Sequence, residues 1–194
     1  MTRRWIPCLL ALVPVAWALL QVDLVTIRGE ASRPLALDGE VLACVTHPKE
    51  SVPPGSLVLA RGAGGDFLGR SLSGAGAIQV RGQEIAVAGE TLGVQEFALE
   101  GPLQQPLRVL VYTLGGRFFS LHRTGPLSPA PVALPAGATG RFVLALNLSA
   151  GATLDSRSQG TFPPEQASAA DCVLLLSSLR PWHLGTRVLQ VQLD

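Results

Sequence analysis

The sequence is poor in lysine, in charged residues generally and in cysteine. Lys49 is the only lysine among 15 basic residues, and the formal net charge is +1. A nucleic-acid-binding surface needs a clustered basic face, so this charge balance argues against one. The 3 cysteines form no CxxC pair and no cysteine–histidine cluster. This absence argues against a structural zinc site, and no other metal or cofactor is expected.

The composition favours a β-rich globular domain. The chain has 194 residues, which suits one domain or one domain with an anchor. It contains 21 glycines and 15 prolines, and only 15% of its residues are charged. Such a composition is typical of many short strands and turns, while the 47% of hydrophobic residues is too high for a disordered segment. The preference for arginine, alanine, glycine and leucine indicates a GC-rich, bacterial genome.

The N-terminal region is a candidate membrane anchor. Two arginines precede an apolar stretch at 5–22, which is just long enough to cross a bilayer. The arginines should hold the N-terminus in the cytoplasm, so residues 1–22 are expected to be the anchor and 23–194 a domain on the outer side. A cleavable signal peptide is the alternative, because Ala16-Trp17-Ala18 fits the small-x-small cleavage pattern.

Alternating or continuous apolar runs predict a series of strands after the anchor. Gly115-Gly116 is typical of a two-residue hairpin turn between two of them. The Pro/Gly/Ala-rich segment 124–140 is predicted to be a loop. The main predicted strands are 23–28, 41–45, 55–61, 67–72, 95–99, 108–114, 117–122, 142–146 and 169–178.

Two of the cysteines lie inside predicted strands. Cys44 and Cys172 each occupy an apolar run, whereas Cys8 belongs to the N-terminal stretch. Cys44 and Cys172 are either two buried thiols or a single disulfide, and a disulfide is expected only outside the cytosol.

A charged corner near the C-terminus carries a family resemblance. The run at 142–146 leads to the pattern Asp155-Ser156-Arg157-x-x-Gly160-x-Phe162-Pro163. This pattern resembles the last signature box of the type I signal peptidases, Asp-Ser-Arg-x-x-Gly-x-Val-Pro, which stands beside their active site. The resemblance implies a mainly β, signal-peptidase-like fold of coiled antiparallel sheets with one N-terminal transmembrane helix.

The expected nucleophile box is present but altered. The family has Ser-Met-x-Pro-Thr-Leu-x-x-Gly-Asp, and Pro34 and Gly39 keep that spacing. In this register the family's serine position is Ala31, and Ser32 follows one position later. The related plasmid-transfer peptidases use Ser-x-Pro, which Ser32 fits, although Ala36 stands where they have glycine. The nucleophile is therefore either missing, at Ala31, or displaced to Ser32.

The general base is also missing from its expected place. The segment 67–72 resembles the box in which a strand carries the base lysine immediately before an arginine. Arg70 matches that arginine, and Gly69 replaces the lysine. Thr153 stands where the family places a serine that orients the lysine, while Lys49 lies in a polar loop as a solvated charge. The resemblance therefore implies an incomplete Ser/Lys dyad.

Arg70 is expected to have a structural role at the site. A guanidinium stays protonated and cannot serve as the base. We expect an ion pair between Arg70 and Asp155, with Arg157 close to both.

The resemblance also implies a peptide-binding groove. The family binds its extended substrate by β-augmentation between two strands, which correspond to 25–30 and 67–72 here. The expected peptide contacts are Ile27, Gly29 and Leu68. The small residues at 29, 31 and 69 are expected to leave the cleft open.

Three functions are consistent with this pattern. The first is a non-catalytic, signal-peptidase-like protein of the bacterial inner membrane whose periplasmic or extracellular domain binds extended peptides or partner membrane proteins. The second is a divergent active endopeptidase that uses Ser32. The third is a structural subunit of a membrane complex. The expected partners are a peptide or a membrane protein and the lipid bilayer, and no nucleic acid.

Overall fold

The chain folds into antiparallel β-sheets. A computed structural model describes residues 22–47, 52–72, 76–99, 107–127 and 131–176. A single helical turn, α1, spans Ser156–Gln159. The strands are β1 Val22–Thr26, β2 Val41–His47, β3 Leu57–Gly62, β4 Gly65–Ser71, β5 Ile78–Arg81, β6 Glu84–Val87, β7 Glu90–Thr91, β8 Val94–Leu99, β9 Leu107–Leu114, β10 Arg117–Arg123, β11 Pro131–Leu134, β12 Val143–Ala145 and β13 Ala167–Leu176.

These strands form three sheets. The largest sheet has the order β1-β2-β13-β3-β4-β12, and the other two are β11-β5-β6-β7 and β10-β9-β8. Every strand pair in them is antiparallel. The prediction of a mainly β, antiparallel fold is therefore confirmed.

The apolar faces of the sheets enclose three groups of buried residues. The two smaller sheets and the β12 edge of the large sheet contribute to a cluster around Tyr112 and Phe119, whose rings stack with centroids 5.3 Å apart. One face of the large sheet buries a second cluster around Ile27 and Cys44. The opposite face, near β4 and β12, buries a third cluster around Phe67, and this third cluster contains Ala31, the position of the family's serine in the resemblance.

The hairpin between β9 and β10 has the predicted turn. Gly115 and Gly116 have φ values of +57° and +76°, and Leu114 pairs with Arg117 across the turn. Two successive positive φ values match the right-handed twist of the flanking strands, and glycine adopts them without a steric cost. The glycine pair thus fixes the register of this sheet.

A disulfide joins two neighbouring strands of the large sheet. Cys44 on β2 and Cys172 on β13 face each other in register and are bonded to one another. Of the two alternatives left open by the sequence, the disulfide is the one observed. Its partners lie 128 residues apart in the sequence, and β13 occupies the middle of the sheet between β2 and β3.

Some elements differ from the sequence prediction. The strand β11 lies inside the segment predicted to be a loop, and α1 forms at the polar corner, where no helix was predicted. The membrane anchor predicted for 1–22 falls outside the described residues except for Val22, which begins β1. Among the described residues, no helix combines the length and the apolar character that a membrane span requires.

Candidate functional site

The corner at Asp155 is a compact, buried hydrogen-bonded unit. Asp155 is fully buried and caps α1, because its Oδ1 accepts a hydrogen bond from the Arg157 N–H at 3.0 Å. The Arg157 side chain returns to the same carboxylate, with Nη2 2.7 Å from Oδ2. Arg157 Nη1 also donates to the Leu148 carbonyl at 2.9 Å. A charge-assisted pair of this kind is stronger than a neutral hydrogen bond and holds the corner in one geometry.

The same corner completes the edge of the large sheet. The edge strand β12 has backbone N–H groups that point away from its neighbour β4. The Ser156 hydroxyl accepts from the Val143 N–H at 2.8 Å, and Asp155 Oδ2 accepts from the Ala145 N–H at 3.0 Å. Side chains therefore satisfy donors that would otherwise need another strand or water.

The expected ion pair between Arg70 and Asp155 is wrong. Asp155 pairs with Arg157 instead. Arg70 is buried and donates to the Gly55 carbonyl at 3.3 Å and the Ser120 carbonyl at 3.4 Å. Arg70 thus joins β4 to β10 and to the turn at Gly55, which is a structural role.

The candidate nucleophile Ser32 is buried inside the fold. It has no exposed surface, and its hydroxyl oxygen accepts a hydrogen bond from the Leu68 N–H at 2.9 Å. Its neighbour Ala31 is equally buried and belongs to the third cluster, with Phe67 and Val143. The structure therefore brings both residues close to β4, with Ala31 packed in the apolar cluster and Ser32 bonded to the residue that precedes Gly69.

Gly69 leaves no room for a base. It lies on β4, paired with Val58 on one side and Ala145 on the other. A Cβ atom at this position would lie 2.5 Å from the Leu144 carbonyl oxygen and 2.7 Å from Val143 Cγ1. Backbone and side-chain atoms therefore fill the space that a lysine would need. The expectation of an open cleft is wrong at Gly69 and at the buried Ala31, whereas a Cβ at Gly29 would meet no atom within 4 Å.

The predicted peptide groove is occupied by the chain itself. On one side β4 pairs with β3, and on the other it pairs with β12. The Leu68 carbonyl accepts from the Leu146 N–H, and its N–H bonds to Ser32. Ile27 is fully buried, and Gly29 donates its N–H to Asp38 at 2.7 Å. The hydrogen-bonding groups of β4 are thus engaged, so adding a peptide strand there requires displacing part of the protein.

No alternative base is brought to this place among the described residues. Thr153 is exposed, and its carbonyl accepts from Gln159 Nε2 at 3.4 Å. His47 lies at the surface and pairs with Asp171 at 2.9 Å. His122 is fully buried on β10, where burial and then the charge of Arg70 lower its pKa to about 3.

Lys49 and His183 lie outside the described residues. Within the described ranges, no three histidine, cysteine or acidic side chains come together as a metal site. The sequence Asn147-Leu148-Ser149 fits the Asn-x-Ser pattern for N-glycosylation. The Asn147 side chain is inaccessible, because it is buried and donates to Thr124 Oγ1 at 3.2 Å.

A second surface was not found by sequence reasoning. One face of β1, β2 and β13 is apolar at its centre, and we call it the outer face. In register, Ala43 lies between Leu24 and Val173, two residues that are 70% and 68% exposed. The alternation of each strand indicated one buried face, but the apolar residues on the other face could be aligned only once the strand pairing was known. The outer face consists of Val22, Leu24, Val41, Ala43, Val45 and Val173, and at its margins it also carries Thr26 and the exposed His47–Asp171 pair.

Comparison of the chain with protein-family models and with curated proteins gave no match.

Proposed function

We propose that this chain is a membrane-anchored, non-catalytic relative of the type I signal peptidases, a pseudopeptidase that binds other polypeptides on the outer side of a bacterial membrane. The observation that carries the proposal is the packing at Gly69. The place of the base is filled by Leu144 and Val143, and the place of the nucleophile is the buried methyl group of Ala31.

The chemistry of amide hydrolysis supports the absence of catalysis. A serine hydroxyl needs an adjacent base to attack a carbonyl, and Ser32 instead accepts a hydrogen bond from the Leu68 backbone in a site without exposed surface. Loss of the nucleophile or its base lowers kcat by a factor on the order of 10⁶ in serine proteases. The charged corner then has a structural role, as the hydrogen-bonded end of the large sheet.

A cleavage assay tests this proposal. The full chain in detergent micelles is incubated with a signal-peptide substrate, beside Ser32→Ala and an active signal peptidase as the positive control. We expect the same negligible turnover for wild type and Ser32→Ala. Turnover by the wild type that Ser32→Ala abolishes would establish the divergent endopeptidase instead.

The disulfide and the outer face support an extracytoplasmic, membrane-proximal position. A disulfide such as Cys44–Cys172 persists in oxidising compartments. The apolar stretch 5–22 runs directly into β1, so Leu24 lies within about 7 Å of the end of that stretch. An apolar sheet face at the bilayer surface removes its side chains from water. We therefore assign the outer face to the lipid interface.

A fluorophore placed on the outer face tests this assignment. In a Cys8→Ser background, Leu24→Cys and Val173→Cys are labelled with an environment-sensitive dye and reconstituted in vesicles. Phe118→Cys is the matched control, because Phe118 is 68% exposed on a different sheet. We expect blue-shifted emission and quenching by brominated lipid at 24 and 173 alone. Blue-shifted emission without lipid quenching would indicate a protein partner, which is the structural-subunit alternative.

A further inference from the structure

The sheet β10-β9-β8 is hydrogen-bonded to residues 146–148 at its β10 edge, whereas its β8 edge has no neighbouring strand among the described residues. At β10, the His122 N–H donates to the Leu146 carbonyl at 2.7 Å, and the His122 carbonyl accepts from the Leu148 N–H at 2.7 Å. At the other edge, β8 pairs with β9 only, and no described strand lies on its second side. All residues from 94 to 98 are exposed. β8 therefore presents a free strand edge to solvent.

The register identifies the backbone groups on this edge. In a two-residue hairpin the residues that flank the turn form a hydrogen-bonded pair, and such pairs alternate along the strands. Leu114 and Arg117 flank the turn, so β9 uses its even-numbered residues toward β10 and its odd-numbered residues toward β8. The outward N–H and C=O groups of β8 consequently belong to Val94, Glu96 and Ala98.

This edge lacks most of the features that usually protect a strand, and its one charged residue, Glu96, is paired with two arginines. The pairing of β8 with β9 runs without a bulge, and the strand contains neither proline nor lysine. The corresponding edge of the large sheet is different, since the side chains of Asp155 and Ser156 cover β12. Alternating donors and acceptors along an edge are satisfied best by another extended chain.

The side chains beside the edge indicate the chemistry of that chain. On one face Phe97 is 50% exposed. On the other face Glu96 Oε1 is shared by Arg108 Nη1 at 3.0 Å and Arg123 Nη2 at 2.6 Å, which leaves one positive charge in excess. Arg108 stands directly across from Ala98, and the small alanine leaves space above it. A carboxylate beside Ala98 could therefore reach Arg108.

We propose that β8 binds an extended segment of a partner protein as an added strand, with an apolar side chain beside Phe97 and an acidic side chain beside Ala98. The inference rests on the proposed function and deepens it. It names the surface at which this non-catalytic protein binds other polypeptides. This surface is distinct from the occupied groove at β4 and from the outer face.

Peptide binding by the full chain in micelles tests the proposal. The probe is a short labelled peptide of alternating valine and threonine in which one glutamate replaces a threonine, and the control peptide carries lysine there. We expect the glutamate peptide to bind at least about ten-fold more tightly than the lysine peptide, which corresponds to about 1.4 kcal/mol. Arg108→Gln should remove most of this preference.

Two variants separate the edge from the rest of the sheet. Ala98→Pro removes an outward N–H without removing a bond to β9, so it should weaken binding at least about ten-fold. Ala98→Gly keeps both that N–H and the space beside Arg108 and is the matched control, which should bind as the wild type does. Hydrogen exchange on the wild type gives an independent measurement, because the peptide should protect the amides of Val94, Glu96 and Ala98.

Several outcomes would overturn this inference. They are wild-type affinity in a folded Ala98→Pro, equal affinity for the two peptides, or no protection at the three amides. Self-association that Ala98→Pro abolishes would make a second copy of the chain the occupant. Failure of peptide binding with negligible turnover in the cleavage assay would overturn the β8 site alone, whereas turnover that depends on Ser32 would overturn the proposed function.

Discussion

At the scale of single residues, Gly69 has the most restrictive surroundings on β4. A Cβ atom at this position would contact the Leu144 backbone carbonyl, which cannot rotate away as a flexible side chain can. Gly69→Ala should therefore lower the free energy of unfolding by about 1–3 kcal/mol, as overpacking of a filled core does. Denaturant titration measures this change.

Gly93 provides the matched control for that substitution. A Cβ at Gly93 meets no atom within 4 Å, and the residue is exposed. Gly93→Ala should leave the free energy of unfolding nearly unchanged. Equal effects of the two substitutions would contradict the packing assigned to Gly69 and, with it, the main support for a filled catalytic site.

His122 should make the protein sensitive to acid. Burial and the charge of Arg70 lower its pKa to about 3 from 6.5, so the unfolded chain binds the proton more readily than the folded one. This contribution to stability is complete above pH about 6.5 and is lost as the pH falls toward about 3, by about 1.4 kcal/mol per pH unit. The contribution of His122 to the free energy of unfolding, measured as a function of pH between these values, should have this slope. His122→Gln should reduce it, and an unchanged slope would exclude His122 as the cause.

At the scale of elements, β12 depends on the corner that follows it. Asp155→Ala removes the acceptor for the Ala145 N–H and leaves Arg157 with only the Leu148 carbonyl. We expect a loss of about 3 kcal/mol in the free energy of unfolding, because a buried charge loses its partner. Ser156→Ala removes one acceptor, from the Val143 N–H, and should cost about 1–2 kcal/mol.

Ser158→Ala is the control for these two substitutions. Ser158 is exposed on the same helical turn and donates only to the Asp155 carbonyl at 3.3 Å. Its loss should change the free energy of unfolding by less than about 0.5 kcal/mol. A larger effect for Ser158→Ala than for Asp155→Ala would refute the role of the corner as the end of the sheet.

The sequence predicts elements well where the signal is local. The glycine pair at 115–116 specifies its own hairpin, and alternation locates the strands on either side of it. The strand β11 is missed because its proline and the surrounding glycine-rich segment are typical of a loop, whereas pairing with β5 makes it a strand. The helical turn α1 is missed for a similar reason, since four residues carry no periodicity.

The candidate site could be predicted only in part. The motif spacing predicted that Ala31 and Gly69 belong to one site. In the structure Ala31 lies in a cluster with Val143, and a Cβ at position 69 would contact Val143. The ion-pair partner of Asp155 could not be inferred from the sequence, because the resemblance places both Arg70 and Arg157 at the same site. Which of the two guanidinium groups reaches Asp155 depends on the direction in which each side chain leaves its strand or turn.

At the scale of the whole molecule, the disulfide closes a large part of the chain into one loop. Cys44 and Cys172 are separated by 128 residues, and cross-linking a loop of that length should stabilise the fold by about 5 kcal/mol relative to the open unfolded chain. The double substitution Cys44→Ala and Cys172→Ala should therefore lower the midpoint of denaturant unfolding. A reducing agent should do the same to the wild type and leave the double variant unaffected. Equal sensitivity of both proteins to the reductant would contradict this prediction.

The central position of β13 determines when the protein can be completed during its synthesis. Both β2 and β3 leave the ribosome before the strand that lies between them, Ala167–Leu176, which follows β12 in the chain. Until β13 is added, β2 and β3 each have an unpaired inner edge, which is a site for unwanted pairing with other chains. A chain secreted in an extended form would reach the far side of the membrane before its largest sheet could close, so export and folding would occur in that order.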